Sequence, residues 1–172
     1  THFFSFLRQL DLQICQQIHR FRQGKFRILQ AAAQNVHLIA CSIPEIRLAQ
    51  VTDWYIGGHS LGGAMAASYA AKHTDELDGL VLLAAYSTAD LTDSGLRVYA
   101  AYGSEDGVLN REKYEADRVN LPQDTTETVI DGGCHAWFGS YGAQKGDGAP
   151  VISAEEQQQQ TADALAAWMN LQ

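Results

Sequence analysis

The segment that most restricts how this chain can fold is Gly58-His59-Ser60-Leu61-Gly62, set between an apolar run and an alanine-rich one. Trp54-Tyr55-Ile56 reads as a strand that runs straight into Gly57 and Gly58. Residues 64–73 are rich in Ala, the best helix former, and read as a helix. A serine on so sharp a strand-to-helix turn sits in strained backbone, and its neighbours two positions away must be small for the turn to close. The bare pattern G-x-S-x-G arises by chance in many chains; a strand before it and a helix after it supply the context it needs.

The rest of the C-terminal part alternates in the same way. Residues 80–85 form a short, wholly apolar run, as expected for a strand buried on both faces. Residues 97–102 read as a strand that ends at Gly103-Ser104-Glu105-Asp106, and residues 111–119 as a charged, exposed helix. Residues 126–130 are β-branched and alternating, a strand ending at Asp131-Gly132-Gly133-Cys134-His135. Ser153-Ala154-Glu155-Glu156 is a capping box that opens a last helix. Its buried face is predicted at Ala162, Leu165, Ala166 and Met169, flanked by Trp168, with the glutamine run 157–160 on solvated surface. The order strand, helix, strand, strand, helix, strand, helix predicts an α/β protein, a mainly parallel sheet with flanking helices.

The N-terminal part reads differently. Phe3, Leu7, Leu10, Ile14, Ile18 and Phe21 recur at steps of three and four, which predicts a helix within residues 1–34, with Gly24 able to end it. Residues 36–42 form a short apolar run that suits a strand, and residues 44–51 a brief helix with Pro44 in its first turn. Residues 1–50 hold six Lys/Arg and two Asp/Glu, whereas the remainder holds six and eighteen.

Composition bounds the function classes. With 172 residues, 46% hydrophobic and 19% charged, the chain suits one soluble domain with a real core. The net charge of −8 disfavours a nucleic-acid partner. The longest apolar stretch, residues 80–86, is too short to span a bilayer, and no basic leader followed by an apolar run marks a signal peptide. Cys15, Cys41 and Cys134 are odd in number and widely spaced, so neither a disulfide framework nor a zinc or other metal site is expected, and a reducing cytoplasm is the default location.

A serine hydroxyl needs a base to act as a nucleophile. His2, His19 and His37 precede Ser60, the wrong chain order for this architecture. His73 falls at the end of the helix after the serine, where a cation suits the helix dipole. His59 adjoins the serine but points elsewhere on such a turn, packing near the site or lining it. His135 follows the last predicted strand in a Gly-rich loop, where the ligand-site residues of parallel sheets gather. The acid that orients the base is assigned to Asp106, just past a strand end; Glu105 is its close competitor, and Asp131 lies nearer His135 in sequence. The backbone N–H of Leu61, at the positive end of the following helix, suits an oxyanion donor, while a second donor is left unassigned.

Gly57-Gly58-His59-Ser60-Leu61-Gly62-Gly63-Ala64-Met65-Ala66 resembles the nucleophile segment of α/β-hydrolases, in particular the small bacterial dienelactone-hydrolase-like group, α/β hydrolase family 5. Gly132-Gly133-Cys134-His135-Ala136-Trp137-Phe138-Gly139-Ser140-Tyr141-Gly142, with Gln144 and Gly146-Asp147-Gly148, is similar to that group's histidine loop, and Tyr102-Gly103-Ser104-Glu105-Asp106 to its acid turn. The resemblance covers residues 44–172. It implies a triad of Ser60, Asp106 and His135, hydrolysis of small carboxylic esters through an acyl-enzyme, and no cofactor. His59, Trp137 and Phe138, with Tyr141, are candidates to wall the substrate pocket; aromatic packing of a long loop is the competing reading.

A hydrolase of this type carries three or four strands before the serine turn and a Gly-rich turn that supplies a second oxyanion N–H. Residues 1–50 contain one glycine, Gly24, and eight glutamines. The chain is therefore divided into an atypical helical segment, 1–43, and a hydrolase core, 44–172, lacking its first strands through truncation, replacement or a reading-frame error. An uncovered sheet edge would invite a homodimer. Two alternatives compete with the esterase: a catalytically weak relic or binding module, and an acyltransferase using the same triad.

Overall fold

The computed structural model describes residues 26–30, 39–40, 53–140 and 142–169. Six strands form one sheet: β1 (Phe26–Gln30), β2 (Ile39–Ala40), β3 (Asp53–His59), β4 (Gly79–Leu83), β5 (Arg97–Gly103) and β6 (Thr126–Ile130). Their spatial order is β2-β1-β3-β4-β5-β6. The pairs β1–β3, β3–β4, β4–β5 and β5–β6 are parallel, and β1–β2 is antiparallel. Among the described residues three α-helices accompany them: α1 (Leu61–Ala70), α2 (Arg111–Asp117) and α3 (Ala154–Trp168).

From β3 onward the elements come in the predicted order. The N-terminal expectation needs correction. Phe26–Gln30, inside the segment read as helical, is a strand that pairs with β3 from Phe26↔Asp53 to Gln30↔Gly57. Within the short run at 36–42 the described residues, Ile39–Ala40, form a strand antiparallel to β1. Among the described residues β1 and β2 therefore precede β3 and the serine turn; β2 falls within the run expected to be a strand, and β1 does not. A five-residue run of aromatic and β-branched character takes its state from the strand beside it, which sequence periodicity does not report. The apolar stripe from Phe3 to Phe21, Gly24 and the brief helix at 44–51 lie outside the described residues.

Alternation along the strands divides the core between the two faces of the sheet. On one face Ile56, Leu80, Leu82, Val98 and Ala100 pack with Ala66, Ala67 and Ala70 of α1. These alanines are fully buried, and their small size lets the helix lie close on the sheet. On the other face Tyr55, Val81, Leu83, Tyr99, Ala101 and Ile130 pack with Leu165, Ala166 and Met169 at α3. All five residues of β4 are buried. Each buried Leu or Val there contributes about 1.5–3 kcal/mol.

The capping box of α3 forms as expected: Ser153 accepts from the N–H of Glu156, and the Glu156 carboxylate accepts from the N–H of Ser153. It sets the phase of the helix, so Ala162, Leu165, Ala166 and Met169 are buried as predicted. The same phase turns Gln157 inward. Rather than sitting on solvated surface, Gln157 is 0% exposed. Among the described residues no helix is long and apolar enough to cross a membrane, and no group of His, Cys, Asp and Glu is arranged to hold a metal ion.

Candidate active site

The carboxyl ends of β3, β5 and β6 carry the residues singled out in the sequence. Ser60 follows the last residue of β3 and caps α1 with φ 54° and ψ −126°. A non-glycine residue at positive φ costs about 1–3 kcal/mol and persists where the surroundings over-determine it. Here its N–H is held by the carbonyl of Leu83 at 2.9 Å, and its carbonyl accepts from Gly63 at 2.9 Å. The turn closes because the glycines on either side meet directly: a Cβ on Gly58 would lie 2.4 Å from the backbone carbon and oxygen of Gly62. Leu61 then opens α1, so its N–H is one of the first-turn amides that a helix leaves without an internal acceptor.

Asp106 and His135 meet. Nδ1 of His135 lies 2.8 Å from Oδ2 of Asp106, with the two side chains 2% and 0% exposed. The other Asp106 oxygen accepts the N–H groups of Val108 at 2.9 Å and Leu109 at 2.7 Å, which keeps the carboxylate facing the ring. Glu105 takes no such part; it is exposed and accepts from the hydroxyl of Ser104. Asp131 is exposed as well. The hydrogen bond to Asp106 fixes a proton on Nδ1 and leaves Nε2 as the basic nitrogen. Nε2 is buried and has no hydrogen-bond partner among the described residues, so Ser60 Oγ makes no hydrogen bond to it. A buried polar atom left in this state costs about 1–3 kcal/mol, and such atoms concentrate at functional sites.

His59 packs against the base. Its ring centroid is 4.6 Å from that of His135 and 6.0 Å from that of Phe138. Burial, and then the neighbouring charge of His135, hold the His59 pKa down at about 4, so the ring is neutral at physiological pH. Phe138 is 1% exposed and belongs to the core face that also holds Ile130 and Leu165. Core packing therefore accounts for its ring. Trp137 is partly exposed. Tyr141, His2, His19 and His37 lie outside the described residues. His73 is engaged elsewhere, stacked on Tyr69 at 3.9 Å and 3.3 Å from Glu76.

One residue that sequence reasoning missed holds the base loop from behind. Gln157 accepts the N–H of Cys134 at 2.9 Å and donates to the carbonyl of Cys134 at 2.8 Å. A side-chain amide thus pairs with a buried backbone position as a neighbouring strand would. The capping box four residues upstream, combined with the helical period, was the signal available in the sequence.

The sequence matches the Alpha/beta hydrolase family over residues 24–159, starting twenty residues before the span of the resemblance described above. Among curated proteins none matches significantly. Similar solved structures include a predicted CIB-like hydrolase from Thermoplasma acidophilum, at 18% identity and TM-score 0.48, covering 66% of this chain and 50% of that one. A carboxylesterase structure from Nitrososphaera gargenis gives 15% identity and TM-score 0.49, covering 69% and 65%. Est1E from Butyrivibrio proteoclasticus gives 15% and 0.49, covering 72% and 64%. The chain thus spans between half and two thirds of the length of these three structures. The family match extends over most of the chain and includes every residue of the site just described, and the chain belongs to the alpha/beta hydrolase family.

Proposed function

We propose that the chain is a serine hydrolase that cleaves small carboxylic esters through an acyl-enzyme on Ser60. The observation that carries this reading is the buried His135–Asp106 pair at 2.8 Å, with Nε2 of His135 left buried and unpartnered at the same end of the sheet as Ser60. A histidine held in this tautomer is ready to take a proton from a hydroxyl brought against it. The serine–base hydrogen bond often forms only once substrate is bound.

In the proposed reaction Ser60 Oγ attacks the ester carbonyl and its proton passes to Nε2 of His135. The carbonyl oxygen becomes an oxyanion, which accepts from the N–H of Leu61. Collapse of this intermediate expels the alcohol, protonated by Nε2, and leaves the acyl group on Ser60. Water, deprotonated by the same nitrogen, then releases the acid and restores the serine. Asp106 stabilises the imidazolium and keeps its orientation. The neutral His59 ring adds no second positive charge beside it.

The test is labelling by a fluorophosphonate, read by intact mass and peptide mapping, followed by hydrolysis of p-nitrophenyl esters of increasing acyl length. One adduct, on Ser60 and absent from Ser60→Ala, with ester turnover, is the expected result. A folded protein that takes no adduct overturns the proposal.

A further inference from the structure

The Gly146-Asp147-Gly148 segment has so far been given no task, yet Asp147 has the densest set of hydrogen bonds near the base. One carboxylate oxygen accepts the N–H groups of Gly107 at 3.1 Å, His135 at 3.1 Å and Gly148 at 2.8 Å. The other accepts the N–H of Ala136 at 2.7 Å. Gly107 directly follows Asp106, and His135 is the base itself. A single side chain therefore grips the backbone of both partners of the acid–base pair.

We infer that Asp147 is a positioning residue, which sets the distance between Asp106 and His135 by tying the turn that carries the acid to the loop that carries the base. The inference deepens the esterase reading and rests on it for its catalytic consequence, but the positioning itself concerns only the Asp106–His135 hydrogen bond.

Three further observations support it. The 146–148 backbone packs directly on the acid turn: a Cβ on Gly107 would lie 2.6 Å from the N of Gly148 and 2.8 Å from the carbonyl oxygen of Gly146. A Cβ on Gly148 would lie 1.8 Å from the carbonyl oxygen of Glu105, so glycine is required at that contact. The donors are of the right kind: burial alone would raise the Asp147 pKa, but the N–H groups of Ala136, Gly107 and His135 outweigh it and hold the group ionised below the usual carboxylate range. Hydrogen bonds from N–H to an ionised acceptor are about twice as strong as neutral ones. Finally, Asp106 cannot do this work, since its oxygens are taken by the ring of His135 and by Val108 and Leu109 within its own turn. The two loops are also joined one step away, where the Ser104 hydroxyl accepts the N–H of Gly132 at 2.8 Å and the N–H of Glu105 donates to the Gly133 carbonyl at 2.8 Å, but among the described side chains Asp147 is the one that bonds at both Gly107 and His135.

The test uses the full chain with Asp147→Ala and Asp147→Asn. Asparagine keeps an oxygen for the three N–H groups on one side but turns an NH₂ toward the N–H of Ala136, so it should rescue in part. The structural readout is the low-field proton resonance of His135 Nδ1–H, assigned by its loss in Asp106→Asn. The functional readout is the rate of phosphonate labelling of Ser60 and the division of ester kinetics between kcat and KM. A displacement of about 1 Å at a reacting group costs about 10²-fold. We therefore expect labelling and kcat to fall about 100-fold in Asp147→Ala and about tenfold in Asp147→Asn, with KM little changed. The low-field resonance should broaden or move upfield in the same order. Leu77→Ala, a core truncation, should lower stability without moving that resonance. If Asp147→Ala does not fold, Asp147→Asn carries the comparison. Variants that fold and retain the wild-type resonance and labelling rate overturn the inference. A wild-type protein that shows the resonance but leaves Ser60 unlabelled overturns the esterase reading instead, and the shift of the resonance still decides the role of Asp147.

Discussion

Replacing Gln157 by glutamate should turn the packing behind the base into a pH-dependent load on the fold. The amide now accepts from the N–H of Cys134 and donates to its carbonyl, with no exposure to solvent. A protonated glutamic acid can do both. An ionised one can only accept, and sets a negative oxygen against the Cys134 carbonyl in a buried site. A carboxyl so placed should have its pKa raised by about 3 units from about 4.3, within the range for fully buried groups. The folded protein then holds a proton that the unfolded chain has released, so stability is retained below about pH 4 and lost as pH rises toward about pH 7. Three units correspond to about 4 kcal/mol. With a urea slope of about 2 kcal/mol/M, the midpoint of Gln157→Glu should fall by about 2 M relative to wild type between about pH 4.5 and pH 8. Gln157→Leu leaves the N–H and C=O of Cys134 without partners and should lose about 2–5 kcal/mol at every pH. The assay is urea unfolding followed by circular dichroism across that range. A glutamate variant whose midpoint tracks wild type at all pH values would refute the reasoning, because it would mean that the position is solvated or not paired as described.

Two further outcomes are expected. Gly58→Ala should lower stability by at least about 3 kcal/mol or prevent folding, since its Cβ would meet the Gly62 backbone at 2.4 Å; thermal melting checks this, and a folded variant with wild-type melting would show that the turn can open without cost. The depressed His59 pKa of about 4 against about 6.5 in the unfolded chain means that stability from this ring is complete above about pH 6.5 and is lost as pH falls toward about 4. At about pH 5 the loss should reach about 2 kcal/mol, and His59→Asn should remove that part of the acid dependence in parallel urea titrations.

How far the sequence could be read followed from how local each signal was. The elements from β3 to α3 announce themselves through period and punctuation: an apolar run, a Gly-rich turn, an alanine helix, a capping box. Asp106 and His135 could be chosen because each follows a strand end, which a linear reading can locate. β1 could not, because Phe26–Gln30 owes its state to pairing with β3, more than twenty residues away in the chain. The partners of Gln157 and Asp147 were hidden for a related reason, although the capping box and the helical period do turn Gln157 inward. Both act on backbone groups of distant loops, and a glutamine inside a polar helix or an aspartate between glycines carries no mark of the N–H groups it will meet. Phe138 stood beside the base in sequence, which suggested a pocket wall, whereas three-dimensional packing gives most of its ring to the core.

The strand between those that carry Ser60 and Asp106 works as a spacer. β4 separates β3 from β5, holding the N–H of Ser60 through the Leu83 carbonyl, while the next residue, Ala84, donates to Ala101 on the far side. Two strand-to-strand steps of about 4.8 Å put the strands that lead to Ser60 and Asp106 about 10 Å apart. That gap is fixed by main-chain pairing, a dimension that side-chain exchange hardly alters. Evolution can therefore vary Leu80, Val81, Leu82 and Leu83 among apolar residues of similar bulk without retuning the site. A slip of β4 by a single residue would move Ser60 relative to Asp106 and His135 even if all three side chains remained intact.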